Sequence, residues 1–182
     1  MGCRAREASR QELARPLSLS SRGKRKFQRI TPGVYEAAGR EVVSDAAVFA
    51  VKYPKVVICL LSALDFHGLT THILRQVWIV IGNKNAGPTI EFPPFRGVGV
   101  SAHLITTGII KSELNGVAIT VTDPARSIAD SFKFQNKIGT DAALEALRVG
   151  WESCRMTTDE IWAAAEQTRM VNVMRPYLET LL

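Results

Sequence analysis

Apolar and polar positions divide the chain into a head without a period and a body with clear ones. From Met1 to Gly23 no repeat of apolar positions emerges and Arg, Ser and Ala dominate, so a loosely ordered arm is expected. In RGKRKFQRITPGVYEAAGREVV, Phe27, Ile30, Val34 and Tyr35 are apolar points among basic residues, and Pro32-Gly33 is a turn signal. A short β-hairpin or wing is expected there. Ser44 can cap a helix through Phe49 and Val51 that ends before Pro54, because the residue preceding proline is pushed out of the α region. Pro54 then suits the first turn of a second helix from about Lys55 to His67. The apolar run Val56 to Leu64, followed by Phe66, surrounds that helix on nearly every side, which predicts burial all round.

Val77 to Ile81 reads as a buried strand closed by Gly82-Asn83, and NKNAGPTIEFPPF, rich in Pro and Gly, as a loop. GVGVSAHLI and VAITVT predict two more strands, hairpin-connected across Gly108 to Gly116. Next, Asp123 is a good N-cap with Pro124 at the first helical position, and Ala125, Ile128, Ala129 and Phe132 fall at helical spacing. This is the clearest amphipathic pattern in the chain. Thr140 is read as the cap of a further helix with Ala143, Leu144, Leu147 and Trp151 on its core face. Thr157 with Glu160 forms a capping box ahead of Ile161, Trp162 and Ala165. A last short helix or turn from Val171 to Leu182 contains Pro176 and is expected to kink there. The predicted fold is mixed α/β (α+β): a small central sheet of about three strands packed by helices, a C-terminal helical cluster, and an N-terminal wing.

Charge sharpens the contrast between head and body. Through Arg29 the chain has nine Lys and Arg against two acids; from Ile30 onward it has fourteen against fifteen. A basic block on a near-neutral body marks either an arm that meets phosphate or a solvated tail. Hydrophobic residues at 46% and charged residues at 22% are globular values, and 182 residues suit one ordinary domain with an appendage. Cys3, Cys59 and Cys154 are odd in number and far apart, which points to a reducing cytoplasm rather than a disulfide framework. No apolar run approaches the roughly 18–20 residues that span a bilayer, so no membrane partner is expected. The start lacks an apolar signal segment, and Arg6 stands where N-myristoylation needs Ser or Thr.

Enzyme motifs are mostly missing. There is no Gly-Ser pair to open a nucleotidyltransferase motif and no Walker A, and no acid has Lys two places on, as a metal-dependent nuclease commonly needs. Of the three histidines, His67 and His72 make only a weak spaced pair without an adjacent acid of the metalloprotease type, so neither a metal nor a cofactor is expected. His67 could act as a general base, since free imidazole titrates near neutrality. Directly before Gly68, it also fits a helix end, where imidazole complements the helix dipole. Asp130 follows Arg126 by four and reads as an ion pair on a helix edge. Trp78, Trp151 and Trp162 lie on apolar faces and are expected in the core. The positive functional reading falls on Arg22, Lys24, Arg25, Lys26 and Arg29, basic residues interleaved with Phe27 that could contact phosphates without choosing sequence.

Five separated blocks carry a further likeness. They are ITPGVYE (Ile30 to Glu36), VICLLSALDFHGLTTHILRQVWIVI (Val57 to Ile81), TDPARSIADSFKF (Thr122 to Phe134), NKIGTDAALEAL (Asn136 to Leu147) and VNVMRPYLE (Val171 to Glu179). In this order, over roughly residues 27 to 182, the chain resembles the AbiEi family of abortive-infection antitoxins and transcriptional regulators. The resemblance implies a winged helix-turn-helix followed by a larger antitoxin domain, here residues 1–43 and 44–182. It also implies repression of the chain's own operon through operator DNA. A nucleotidyltransferase toxin of that operon would be opposed in a type IV system, without a stable complex. For Pro32, Gly33, Tyr35, Ser62, His67, Gly68, Thr70, Asp123, Pro124 and Asp130 the resemblance implies structural rather than catalytic roles. The head departs from the pattern: about 30 residues precede PGVY, where a helix-turn-helix needs about 50. An incomplete DNA-binding module, from truncation, a misassigned start or degeneration, is therefore expected. The alternatives are a decayed nuclease-like enzyme using His67 or Asp130, and an interaction protein that binds neither DNA nor toxin.

Overall fold

The structure, a computed structural model, describes residues 27–31, 34–37, 44–82, 88–153 and 156–181, the first two stretches by their backbone. The chain divides into two compact units, Met1–Arg40 and Glu41–Leu182. In the first, β1 (Phe27–Thr31) and β2 (Val34–Ala37) pair antiparallel with Arg29 opposite Tyr35, and the register is irregular between Arg29 and Thr31. This is the hairpin that Pro32-Gly33 signals. Arg22, Lys24, Arg25, Lys26, Pro32 and Gly33 themselves lie outside the described residues, as does the arm before them.

The second unit opens with α1 (Asp45–Lys52), whose N-cap Ser44 accepts from the Ala47 amide and which stops before Pro54. A sheet of five strands, where about three were expected, follows in the order β5-β4-β3-β7-β6, the extra strands being the short β3 and the edge strand β6. Its strands are β3 (Val57–Ile58), β4 (Val77–Gly82), β5 (Phe95–Val100), β6 (Ile109–Leu114) and β7 (Val117–Thr122). β3 runs parallel to β7 and antiparallel to β4, β4 runs parallel to β5, and β6 and β7 form an antiparallel hairpin. On one face Phe49 and Ala50 of α1 meet Ile58, Val77, Ile79, Ile119 and Val121. On the other, Trp78 and Val98 pack with Cys59, Leu60, Phe134 and Ile138.

Two expectations are corrected here. The run after Pro54 is not one helix: Val57 and Ile58 are the central strand, and α2 occupies only Leu60–Phe66. A short apolar run buried on all sides looks the same as strand or helix by periodicity; β4 and β7 on either side take up Val57 and Ile58 as a strand, which their β-branched side chains suit. The switch is abrupt. Cys59 is fully extended and Leu60 takes a left-handed φ of 47° at the entry to α2. The second correction is that β5 is not the hairpin partner of β7. It lies at the far edge of the sheet and leads through a 3₁₀ turn, Ala102–Ile105, to β6, which sequence reading took for a connection. IIKSEL gives only a weak strand signal: Ser112 is polar on the face of Ile110 and Leu114, and Ile109 is apolar on the face of Lys111 and Glu113.

Around α3 (Pro124–Lys133) gather α5 (Thr140–Glu152), α6 (Thr158–Thr168) and α7 (Val171–Leu181), with the short α4 (Gln135–Ile138) between α3 and α5. Their shared core holds Ile128, Ala129, Phe132, Ala146, Leu147, Ile161, Ala165, Met174 and Leu178, and Trp151 and Trp162 are half-buried against it. The capping box of Thr157 and Glu160 forms as expected, and α7 contains Pro176 within its span. α5 is turned from its predicted phase. Gly139 rather than Thr140 is the N-cap, the buried face is Ala142, Ala143, Ala146, Leu147 and Gly150, and Leu144 is 36% exposed. Small residues win that face because α3 passes close; a Cβ on Gly150 would sit 2.8 Å from Ile128 Cδ1. Among the described residues no helix is long and apolar enough to cross a membrane.

Candidate functional site

β3 and β7 are parallel neighbours, and each leads at its carboxyl end into a helix, α2 and α3. At the second junction Asp123 accepts from the Arg126 amide at 2.7 Å, with Pro124 in the first turn where its missing N–H costs nothing. From there every residue of α3 between Ala125 and Phe132 is buried, including Arg126, Ser127, Asp130 and Ser131. The expectation of an ion pair at a helix edge is therefore corrected. Arg126 Nε donates to Asp130 Oδ2 at 3.1 Å with both side chains at most 2% exposed. The polar stripe of α3 faces the end of the sheet, and the apolar stripe faces the helical cluster, so neither face meets solvent.

Main-chain oxygens make this burial tolerable. Arg126 Nη1 donates to the Thr107 carbonyl, and Ser127 Oγ donates to the Asp123 carbonyl at 2.7 Å and lies 2.7 Å from Thr122 Oγ1. His67 Nε2 stands 2.7 Å from the Thr122 carbonyl; because a carbonyl only accepts, Nε2 carries the proton. Ser131 Oγ donates to the Ile128 carbonyl. Arg126 Nη2 and Asp130 Oδ1 are buried without a hydrogen-bond partner. Burial holds the Asp130 carboxyl above its usual range, and the Arg126 guanidinium pulls it back only in part. The Cys59 thiol is pushed up as well, first by burial, then by the Asp130 charge, against the pull of Arg126.

The other motif residues serve nearby junctions. Ser62 Oγ accepts from the Trp78 amide at 2.9 Å, tying α2 to β4. His67 ends α2, and Gly68 at φ 66° lets the chain reverse. Thr70 belongs to a separate cluster, where its Oγ1 donates to Glu145 Oε2 at 2.9 Å. Glu145 Oε1 takes the Thr71 amide and hydroxyl, and His72 Nε2 lies 3.6 Å from Oε2. The hydrogen bonds from Thr71 are the main reason the Glu145 carboxyl is held below its usual range. Asp123, Pro124, Asp130 and His67 thus converge at the β7–α3 junction, whereas Ser62 and Thr70 do not. Arg29 and Tyr35 belong to the first unit.

A cleft of about 350 Å³ opens at the start of α3, between Gly108, Asp123, Glu160 and Gln167. Neither His67 nor Asp130 lines it. Among the described residues no group of three or more His, Cys, Asp and Glu could hold a metal ion. No family model matches the chain, and no curated protein matches it. The sequence assigned no site role to Thr107, Thr122, Ser127 and Glu145, and Cys59 entered it only as one of three scattered cysteines. For Ser127 a signal existed: Arg126/Asp130 and Ser127/Ser131 repeat at helical spacing beside the apolar stripe, and a helix flanked by so much apolar sequence has little solvent to offer its polar face. Glu145 gave no signal.

Proposed function

We propose that this chain is a non-enzymatic antitoxin and transcriptional autoregulator of a type IV toxin-antitoxin system. In this reading, the larger unit counteracts a nucleotidyltransferase toxin of the same operon without a stable complex. Arg22, Lys24, Arg25, Lys26 and Arg29 meet the phosphates of operator DNA. The reading rests on the five sequence blocks that resemble the AbiEi family. The observation that supports it is the direction of the motif's titratable groups: His67, Arg126 and Asp130 turn inward onto main-chain oxygens and each other. The enzyme alternative requires His67 or Asp130 to reach a substrate, and both are buried.

Growth rescue of cells expressing the neighbouring toxin tests this. His67→Gln places an amide N–H near the position of Nε2 and removes the imidazole; rescue equal to wild type is expected. Loss of rescue by a variant with unchanged thermal stability would favour the enzyme reading. In parallel, promoter DNA titrated at two salt concentrations should bind more weakly at the higher one. No binding at low salt, or indifference to salt, removes the DNA-binding part.

A further inference from the structure

The outer edge of β6 has a property that its neighbours lack: it is complementary to itself. Among the described residues β6 is last in the sheet and pairs only with β7. Its hairpin closes over a two-residue turn, Asn115 and Gly116, both with positive φ, with Leu114 opposite Val117. In such a turn the flanking pair is hydrogen-bonded, and bonding alternates along the strand. Leu114, Ser112 and Ile110 therefore bond inward to β7, and the main-chain groups of Ile109, Lys111 and Glu113 face outward. Side chains divide differently. Leu114 packs with the cluster beneath α1, so Ile110 and Ser112 share that face, and Lys111 and Glu113 stand exposed on the opposite one. Ile110 is 38% exposed, a large apolar side chain at an open edge.

We propose that β6 is an interface for a second copy of this chain, pairing antiparallel about a two-fold axis through Ser112. In that register each Lys111 faces the other copy's Glu113 as a hydrogen-bonded pair with opposite charges. Each Ile110 faces Leu114 on the apolar side, and Ser112 meets itself. A register centred on Lys111 sets lysine against lysine, and one centred on Glu113 sets acid against acid. The two charges therefore select one register, as cross-strand pairs do within a sheet. A lysine on an edge strand ordinarily deters pairing. Here the acid two residues on converts it into a register mark. β5, the other edge, offers no such match: Arg96 is its single charge, and it lies over the Trp78 ring. The two copies would form an isologous contact, with each residue giving what it receives. The inference rests on the sheet alone and does not depend on the proposed function.

Charge exchange tests it on the full chain, with mass followed by sedimentation across a concentration series. The wild type should dimerise. Lys111→Glu or Glu113→Lys turns both attractive pairs repulsive and should raise the dimer dissociation constant about tenfold or more. The double exchange, Lys111→Glu with Glu113→Lys, restores opposite charges in the same register and should recover the dimer. Ser112→Cys should form a disulfide-linked dimer under mild oxidation, because non-hydrogen-bonded partners bring Cα atoms to about 4.5 Å. The proposal is overturned by a wild type that stays monomeric, by single exchanges that leave the dimer unchanged, or by a folded double exchange that does not recover it.

Discussion

Arg126–Asp130 and Glu145 perform the same mechanical task in different surroundings. The first joins α3 to the Thr107 carbonyl ahead of β6, and the second joins α5 to the Thr70–His72 segment after α2. Arg126 and Asp130 are enclosed, whereas Glu145 is half-buried, with His72 46% exposed beside it. Their carboxyls are displaced in opposite directions, Asp130 upward by burial and Glu145 downward by the hydrogen bonds of Thr71. Enclosure makes a charge expensive to strand and valuable only with its partner. Partial exposure makes the same charge cheap to lose.

The most severe test removes half of the enclosed pair. Arg126→Ala leaves Asp130 without its cation, and Asp130→Ala leaves a guanidinium in the interior; each should cost about 3–5 kcal/mol in urea denaturation. Replacing both with apolar side chains of similar volume, Arg126→Met with Asp130→Leu, should cost less than either single change, because no charge remains to be solvated. Single variants within about 1 kcal/mol of wild type would mean that the pair behaves like the Glu145 anchor, and the contrast would collapse.

What sequence disclosed and what it hid follow the same division. Caps with a side-chain partner close in sequence were legible: Ser44, Asp123 with Pro124, and the Thr157–Glu160 box all act at the predicted positions, whereas the cap and phase of α5 were not. The β1–β2 pairing likewise falls on either side of the Pro32-Gly33 signal in the sequence. Features fixed by distant neighbours were not legible. Val57 and Ile58 become a strand because β4 and β7 lie on either side, and Arg126 is enclosed because the Thr107 carbonyl arrives from the β5–β6 connection. IIKSEL hides its strand because only one neighbour orders it. Of the candidate site, His67 and Gly68 at the end of α2 were foreseen, whereas the Thr122 carbonyl that holds the imidazole belongs to a strand 55 residues away.

An intermediate effect is expected where the backbone, rather than a charge, meets the enclosed pair. Gly108 has φ +60°, and a Cβ there would lie 2.8 Å from both Arg126 Cδ and Asp123 Oδ2. Gly108→Ala combines a left-handed alanine with a clash against a side chain that is already pinned, so about 1–3 kcal/mol should be lost. Gly116 also has positive φ, but its Cβ would meet nothing. Gly116→Ala therefore isolates the backbone part and should cost less. If the two cost the same, the contact with Arg126 contributes nothing.

The smallest effect belongs to the half-buried Glu145 anchor, and pH separates it from the enclosed pair. Glu145 is held below its ordinary 4.5, so its contribution is present above that pH and is lost as pH falls through the folded-state value. Asp130 is held above its ordinary 3.8, so the stability from its protonation is full below that pH and is lost as pH rises through the folded-state value. Glu145→Gln should cost under about 1 kcal/mol at neutral pH. That difference from wild type should shrink toward zero on acidification, because protonated Glu145 and glutamine are then alike in charge. Denaturation of both proteins from neutral pH downward checks this. A difference that persists undiminished in acid would assign the anchor to packing of the glutamate side chain instead of to its charge.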